Sequence, residues 1–348
     1  MTALHLGDFM YVDRSAGRTA GRLGAAVAAC IALLSAVGCS ADAGTGVRTT
    51  GDAPDARVSA AAAPTRATGE NSAGTGKASG VRSAPSMPEP AVLARAKVNM
   101  SDGQTVGVGM PISVTFPQRV PAAERRAVES WLRVQTSSGT RGAWSWVQDR
   151  TVPGGERVDF RPSTAYWQPG TKITLRRGSH GTSHFTIGRS LVATVDTKTH
   201  LMTVDTGGKR HRIPITAGRP GLDTWNGTMV VMDKQSRVFM DSRTVGMGPN
   251  DTYHDYYYWA VHLTTSGTYV HQNPHANTAA GHSNVTHGCV GLATTTAKGF
   301  YDQVHVGDVI TVTGANKDTV APGNGYGDWN LTWSQWLARS AAGQTTTA

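Results

Sequence analysis

Cysteine is scarce in this 348-residue chain. The three present are Cys30, Cys39 and Cys289, too few for the disulfide framework that staples small secreted domains. Charge is sparse too: 16% Asp, Glu, Lys and Arg against roughly a quarter in typical chains, which excludes a coiled coil and a highly charged disordered protein. One apolar run lies near the start and no other follows, which excludes a multi-span membrane protein. Arginine-rich runs, zinc-finger spacing and RNA-binding signatures are all missing, so nucleic acid is not an expected partner despite a net charge of +9. Residues 40–90 contain no Leu, Ile, Phe, Trp or Tyr, and all nine tryptophans lie at or after Trp131. A core-bearing C-terminal part therefore follows an N-terminal part with little to bury.

What is present at the N-terminus reads as a targeting segment. Arg14, Arg18 and Arg22 precede an apolar stretch over residues 23–37, the layout of a secretory signal, short for a permanent span. It ends in Ala36-Val37-Gly38-Cys39, similar to a bacterial lipobox with alanine in place of the usual leucine. Residues 1–39 are expected to be a signal with Cys39 lipidated; an ordinary signal or an uncleaved anchor is the alternative. Residues 40–90, with twelve alanines and prolines at 54, 64, 85, 88 and 90, cannot bury enough apolar surface to offset ordering entropy and read as a disordered tether. Residues 91–348 hold 25 basic and 17 acidic side chains, so the positive excess belongs to the folded part and suits an anionic lipid or acidic polymer.

The folded part reads as mainly β. Ile112, Val114 and Phe116 alternate, and 143–148, 158–161 and 172–175 are strand candidates with Pro-Gly turns at 153–154 and 169–170. One short helix is expected at 122–131 behind Pro121. This predicts an immunoglobulin-like β-sandwich over 91–182, a spacer whose Trp144, Trp146 and Trp167 belong to the core. Strands continue at 191–195, 201–205, 212–216, 229–232, 238–240, 269–271 and 309–312, with one helix near 294–304 where Ala297, Phe300, Tyr301 and Val304 recur at helical spacing. The second domain is β-rich with few helices.

Seven of twelve histidines fall between 254 and 305, around a lone cysteine, Cys289. A thiol attacks as thiolate, and a nearby imidazole both takes its proton and stabilises the charge. Gly288 beside it lets backbone N–H groups face a developing oxyanion. Acyl transfer is the indicated chemistry. Three plainer readings compete: a buried, inert Cys289; a zinc site from His271, His275 and Cys289, which Asn273-Pro274 and the lack of a matching acid disfavour; and solvated loop histidines, which suits His254, His275, His282 and His305.

The order His271, fourteen intervening residues, then Thr286-His287-Gly288-Cys289 resembles the signature of the L,D-transpeptidases. The tail Gly327-Asp-Trp-Asn330-Leu-Thr-Trp-Ser-Gln-Trp336 resembles the Trp-rich extension of actinobacterial members, which also carry an immunoglobulin-like domain behind a lipoprotein signal. The resemblance covers about 91–340 and implies a catalytic domain over 183–316 and a Trp-containing extension over 317–348. It implies Cys289 as nucleophile, His271 as base, and Gln272 as the residue whose backbone carbonyl holds that histidine. His287 and Gly288 would shape the nucleophile loop, with the N–H groups of Gly288 and Cys289 as oxyanion hole. Ser266, Gly267, Thr286, Gly291 and Tyr258 would face substrate. Gly291 departs from the family's frequent Asn or Arg. The segment 247–265, with its tyrosines, is expected to form a lid.

The resemblance further implies an exported enzyme, lipid-anchored at the cell membrane and facing the wall, that cross-links third-position diamino acids of peptidoglycan stem peptides through a cysteine thioester. Neither metal nor other cofactor is implied, and β-lactams of the carbapenem class are the implied covalent inhibitors. A wall-binding lipoprotein without catalysis, an L,D-carboxypeptidase, and a sortase- or papain-like peptidase are the alternatives.

Overall fold

Alternation of apolar residues builds the first domain. The computed structural model describes residues 87–148 and 155–343; the expected signal, Cys39 and residues 40–86 lie outside the described residues. The domain comprises β1 (Lys97–Val98), β2 (Gln104–Val106), β3 (Ile112–Phe116), α1 (Ala122–Trp131), β4 (Leu132–Thr136), β5 (Gly142–Val147), β6 (Glu156–Pro162), β7 (Lys172–Arg177) and β8 (Thr182–Ile187). Two sheets, ordered β1-β3-β6-β5 and β2-β8-β7-β4, face each other as an immunoglobulin-like sandwich. Trp144, Phe160 and Trp167 pack ring against ring between them, almost wholly buried. Each such side chain contributes about 1.5–3 kcal/mol of transfer free energy. The sandwich runs on to Ile187, past the expected 182, because β8 pairs with β7 and with β2.

The second domain comprises β9 (Leu191–Asp196), β10 (Leu201–Thr206), β11 (Lys209–Pro214), β12 (Gly227–Val230), β13 (Asp233–Asp241), β14 (His254–His262), β15 (Tyr269–Gln272), α2 (Ala276–Ala279), β16 (Val290–Leu292), α3 (Thr294–Gln303) and β17 (Val309–Thr313). Its sheets are β11-β10-β9-β17-β12 and β13-β14-β15-β16. A core of Leu191, Val195, Met202, Val261, Val290, Phe300 and Ile310 joins them. Phe300 and Ala297 bury one face of α3, as their spacing predicts. Much of the expected lid is instead strand: β14 pairs with β13 from His262 opposite Asp233 to His254 opposite Asp241. A run of tyrosines and tryptophan prefers a pleated surface, which confines the connection to residues 242–253, where two short 3-10 turns lie. Among the described residues no helix is long and apolar enough to cross a membrane.

The C-terminal extension explains why every residue of β5 is buried. One face of that strand lines the sandwich core. The other receives α4 (Trp333–Leu337), whose Trp336 is fully buried against Ala143 and Val147 and donates from Nε1 to the Ala143 carbonyl at 2.9 Å. The end of the extension is held by Glu129, a buried carboxylate that accepts from the amides of Ala341 and Ala342 and from the hydroxyl of Ser340. The sandwich also bonds directly to the second domain: the amides of Gly107 and Gly109 donate to the carbonyls of Val306 and Gly307.

Trp336→Ala removes the anchor of the extension. It is expected to cost about 3–5 kcal/mol, read as a lowered urea midpoint at unchanged slope. A loss below about 1 kcal/mol would mean that the extension is held by its other contacts.

Candidate active site

The site is made by a parallel strand pair. β15 runs beside β16 with His271 opposite Gly291, so Cys289, two residues earlier and just before β16, lies on the same side of the sheet as the histidine. Thr216 closes the other edge of Gly291 with two backbone hydrogen bonds, 2.7 and 3.0 Å. Its approach needs glycine: a Cβ at 291 would sit 2.8 Å from Thr216 Cγ2 and 3.1 Å from Asn273 Cβ. Gly291 is therefore a packing residue within a strand and presents nothing to the pocket. An Asn or Arg there has no room.

His271 is 3% exposed. Its Nδ1–H donates to the Gln272 carbonyl at 2.7 Å, which fixes the tautomer and leaves the Nε2 lone pair as the acceptor. The Gln272 side chain turns away and donates to Thr294. Burial lowers the His271 pKa to about 4, against a smaller opposing effect of the Gln272 bond. Cys289 is half-buried; its thiol donates to the Gly267 carbonyl at 3.6 Å. Burial raises the thiol to about 11, while the Tyr269 backbone amide favours the thiolate. The resting pair is neutral imidazole and neutral thiol.

Cys289 and His271 share a small cleft with Met240, Tyr253, Tyr257, Asn273, Thr286 and His287. Tyr257 packs edge-on to His271, centroids 4.8 Å apart, and Tyr253 covers His287 at 5.4 Å. The cleft volume is about 280 Å³ including its mouth. Broader clefts elsewhere, such as the one beside Tyr166 and Trp329, contain neither Cys289 nor His271.

Several expected residues are placed differently. Tyr258 lies on the exposed outer face of β14, and its neighbour Tyr257 lines the cleft instead; period-two alternation makes the two positions opposites. The Ser266 hydroxyl is engaged by Asn324 at 2.8 Å and by Thr264 at 3.1 Å. Thr286 is buried, and its hydroxyl donates to the Cys289 carbonyl at 2.6 Å while accepting from the Gly288 amide at 3.3 Å. That hydroxyl braces the turn over residues 286–289. The same bond occupies the Gly288 N–H assigned to an oxyanion hole, and Gly288 itself has φ +119°, a conformation suited to glycine. Gly267 enters the site through its carbonyl. Sequence reasoning missed Met240, Asn273, the Tyr269 amide and the thiol-accepting role of the Gly267 carbonyl, and read Tyr253 and Tyr257 only as part of a lid; alternation along β14 carried the one legible signal, for Tyr257. His254, His275, His282 and His305 are exposed. Among the described residues no group of three or more His, Cys, Asp or Glu is arranged to hold an ion.

The chain is similar to known proteins. A profile of the L,D-transpeptidase catalytic domain matches residues 190–312, and one of a bacterial Ig domain matches residues 58–183. The chain is 32% identical over 268 residues to L,D-transpeptidase 2 of Mycobacterium tuberculosis, a match covering 72% of this chain and 64%, just under two thirds, of that relative. It is 36% identical over 233 residues to L,D-transpeptidase 1 of the same organism, covering 66% of this chain and 88% of that relative. A solved L,D-transpeptidase in complex with imipenem is similar at TM-score 0.57 and 35% identity, covering 63% of this chain and 98% of that one.

A thiol raised to about 11 is almost wholly protonated near neutrality. Iodoacetamide at pH 8 is expected to alkylate Cys289 about a hundred-fold more slowly than a free cysteine of pKa about 8.5, with the rate still climbing above pH 9. Alkylation as fast as that of free cysteine would mean a resting thiolate–imidazolium pair instead.

Proposed function

The chain belongs to the L,D-transpeptidase family, and within it we propose a peptidoglycan cross-linking enzyme that works through a Cys289 thioester. The observation that carries the reading is the shared cleft of Cys289 and His271, with His271 Nδ1 tied to the Gln272 carbonyl. That bond points the basic nitrogen away from the backbone and leaves it free to take the thiol proton.

The donor is a tetrapeptide stem. Burial keeps both partners neutral until substrate arrives, so proton transfer from Cys289 to His271 accompanies attack. The sulfur adds to the carbonyl that joins the third-position diamino acid to the terminal D-alanine. The imidazolium gives the proton to the leaving amine, the carbon–nitrogen bond breaks, and D-alanine departs. The thioester is then attacked by the side-chain amine of an acceptor stem; His271 receives that amine's proton and returns one to the sulfur as the carbon–sulfur bond breaks. The product joins two third-position residues. Every proton is accounted for by Cys289, His271 and the two amines, and the cycle uses no further cofactor. The Tyr269 amide beside the sulfur supports the developing thiolate.

The chain acts outside the cytoplasm in this reading, held at the cell membrane by a lipid on Cys39. The arginines at 14, 18 and 22, the apolar stretch after them and the small residues before Cys39 support this. The imipenem complex of the solved relative supports carbapenems as acylating inhibitors here, since a strained lactam carbonyl offers the same electrophile to the same sulfur.

Incubation with purified disaccharide-tetrapeptide is expected to give cross-linked dimer with release of D-alanine. Tripeptide alone would instead mean carboxypeptidase action, and an unchanged substrate would mean a wall-binding protein. His271→Ala should lower the rate by roughly 10²–10⁴ while the chain stays folded, and His275→Ala, at an exposed position, should cost far less. Equal losses would show that the base is misassigned.

A carbapenem is expected to add once to the chain, at Cys289, by intact mass and peptide mapping. Cys289→Ser should abolish the adduct. A thiol that alkylates with iodoacetamide but is refused by every carbapenem would overturn the inhibitor assignment.

A further inference from the structure

Asn324 sits in the turn Gly323-Asn324-Gly325 of the C-terminal extension and is 1% exposed. Its Oδ1 accepts from the Ser266 amide and the Thr265 hydroxyl, both at 2.9 Å, and its Nδ2 donates to the Ser266 hydroxyl at 2.8 Å. One side chain thus satisfies three groups of the tight turn over residues 264–267, whose own Gly267 amide closes back on the Thr264 carbonyl at 3.0 Å. The carbonyl of that same Gly267 receives the Cys289 thiol.

The glycines on either side show how closely the turn is inserted. A Cβ at Gly323 would lie 1.8 Å from the Gln148 carbonyl oxygen of the sandwich, and one at Gly325 would lie 2.7 Å from the Leu263 carbonyl oxygen of the second domain. Arg157 of β6, itself buried, donates from Nη2 to the carbonyls of Pro322 and Gly325 at 3.2 and 3.0 Å. The route from sandwich to sulfur is therefore continuous: Arg157, the 322–325 turn, Asn324, the 264–267 turn, Gly267, Cys289.

We propose that Asn324 is a positioning residue for Cys289, holding the Gly267 carbonyl where it accepts the thiol and keeps the sulfur protonated and facing the cleft. It touches no substrate. A carbonyl that accepts from S–H stabilises the thiol over the thiolate, so releasing it favours ionisation. Release also frees the sulfur from the orientation that the Gly267 carbonyl imposes in the cleft it shares with His271. Ionisation and turnover are then expected to move in opposite directions, which a general loss of stability does not produce.

The turnover limb rests on the transpeptidase reading; the alkylation limb does not. In the full chain, Asn324→Ala should raise the iodoacetamide rate at pH 8 by about three- to ten-fold, the effect of losing one hydrogen bond to the neutral thiol. It should lower kcat on disaccharide-tetrapeptide by about ten-fold or more with KM changed less than about two-fold. If Asn324→Ala does not fold, Asn324→Gln, which displaces the same donor and acceptor by one methylene, should shift both readouts in the same directions. A folded variant with unchanged alkylation overturns the proposal. So does one in which alkylation and kcat fall together. A wild-type chain that never forms dimer overturns the functional reading alone, since the alkylation result still decides the role of Asn324.

Discussion

The pairing of His271 with Gly291 across β15 and β16 is the constraint on which the site depends. Parallel neighbours need a long crossover, and here residues 273–289 provide it, carrying α2 and the turn that ends at Cys289. The register then delivers Cys289 beside His271 whatever the crossover contains. Gly291 makes this possible by admitting Thr216 on its other side. The strand after Cys289 is thus clamped from both edges, and the position often occupied by Asn or Arg in the family is here given over to backbone packing.

Burial sets the chemistry of the pair. It moves the imidazole down and the thiol up, opposite to the direction that a resting ion pair needs. The few opposing influences are backbone groups: the Gln272 carbonyl on the histidine and the Tyr269 amide on the sulfur. A thiol buried in this way stays protonated near neutrality and is slow to meet adventitious electrophiles. Tyr253 and Tyr257 deepen the burial from the β13–β14 hairpin, so the aromatics first read as a lid act through desolvation of a strand-lined cleft.

The sandwich, the extension and the second domain are stitched by buried polar groups. Glu129 gathers the end of the extension, and Arg157 pairs with Asp159 at 2.9 Å while reaching the carbonyls of residues 322 and 325. Burial, with Asp159 close by, pushes the Asp328 carboxyl well above the ordinary range. Groups of this kind are costly when unpaired, so they fix one mutual arrangement of the three parts more sharply than apolar packing alone would.

Much was legible in the sequence because it is local. Alternation marked β3, strand runs marked β9 and β10, Pro121 marked the start of α1, helical spacing marked α3, and the thiol–imidazole set in Thr286-His287-Gly288-Cys289 with His271 named the chemistry, since side-chain type and near-neighbour spacing carry that information directly. The end of the sandwich at Ile187, the choice of Tyr257 over Tyr258, and the strand in place of a lid were decided by pairing partners far along the chain. So were the roles of Ser266, Thr286 and Gly291: their hydroxyls and missing side chain are used by Asn324, by the Cys289 carbonyl and by Thr216. A sequence states which groups are available for bonding. Which of them are already spent inside the fold depends on contacts between residues tens of positions apart, and only the tertiary structure decides that.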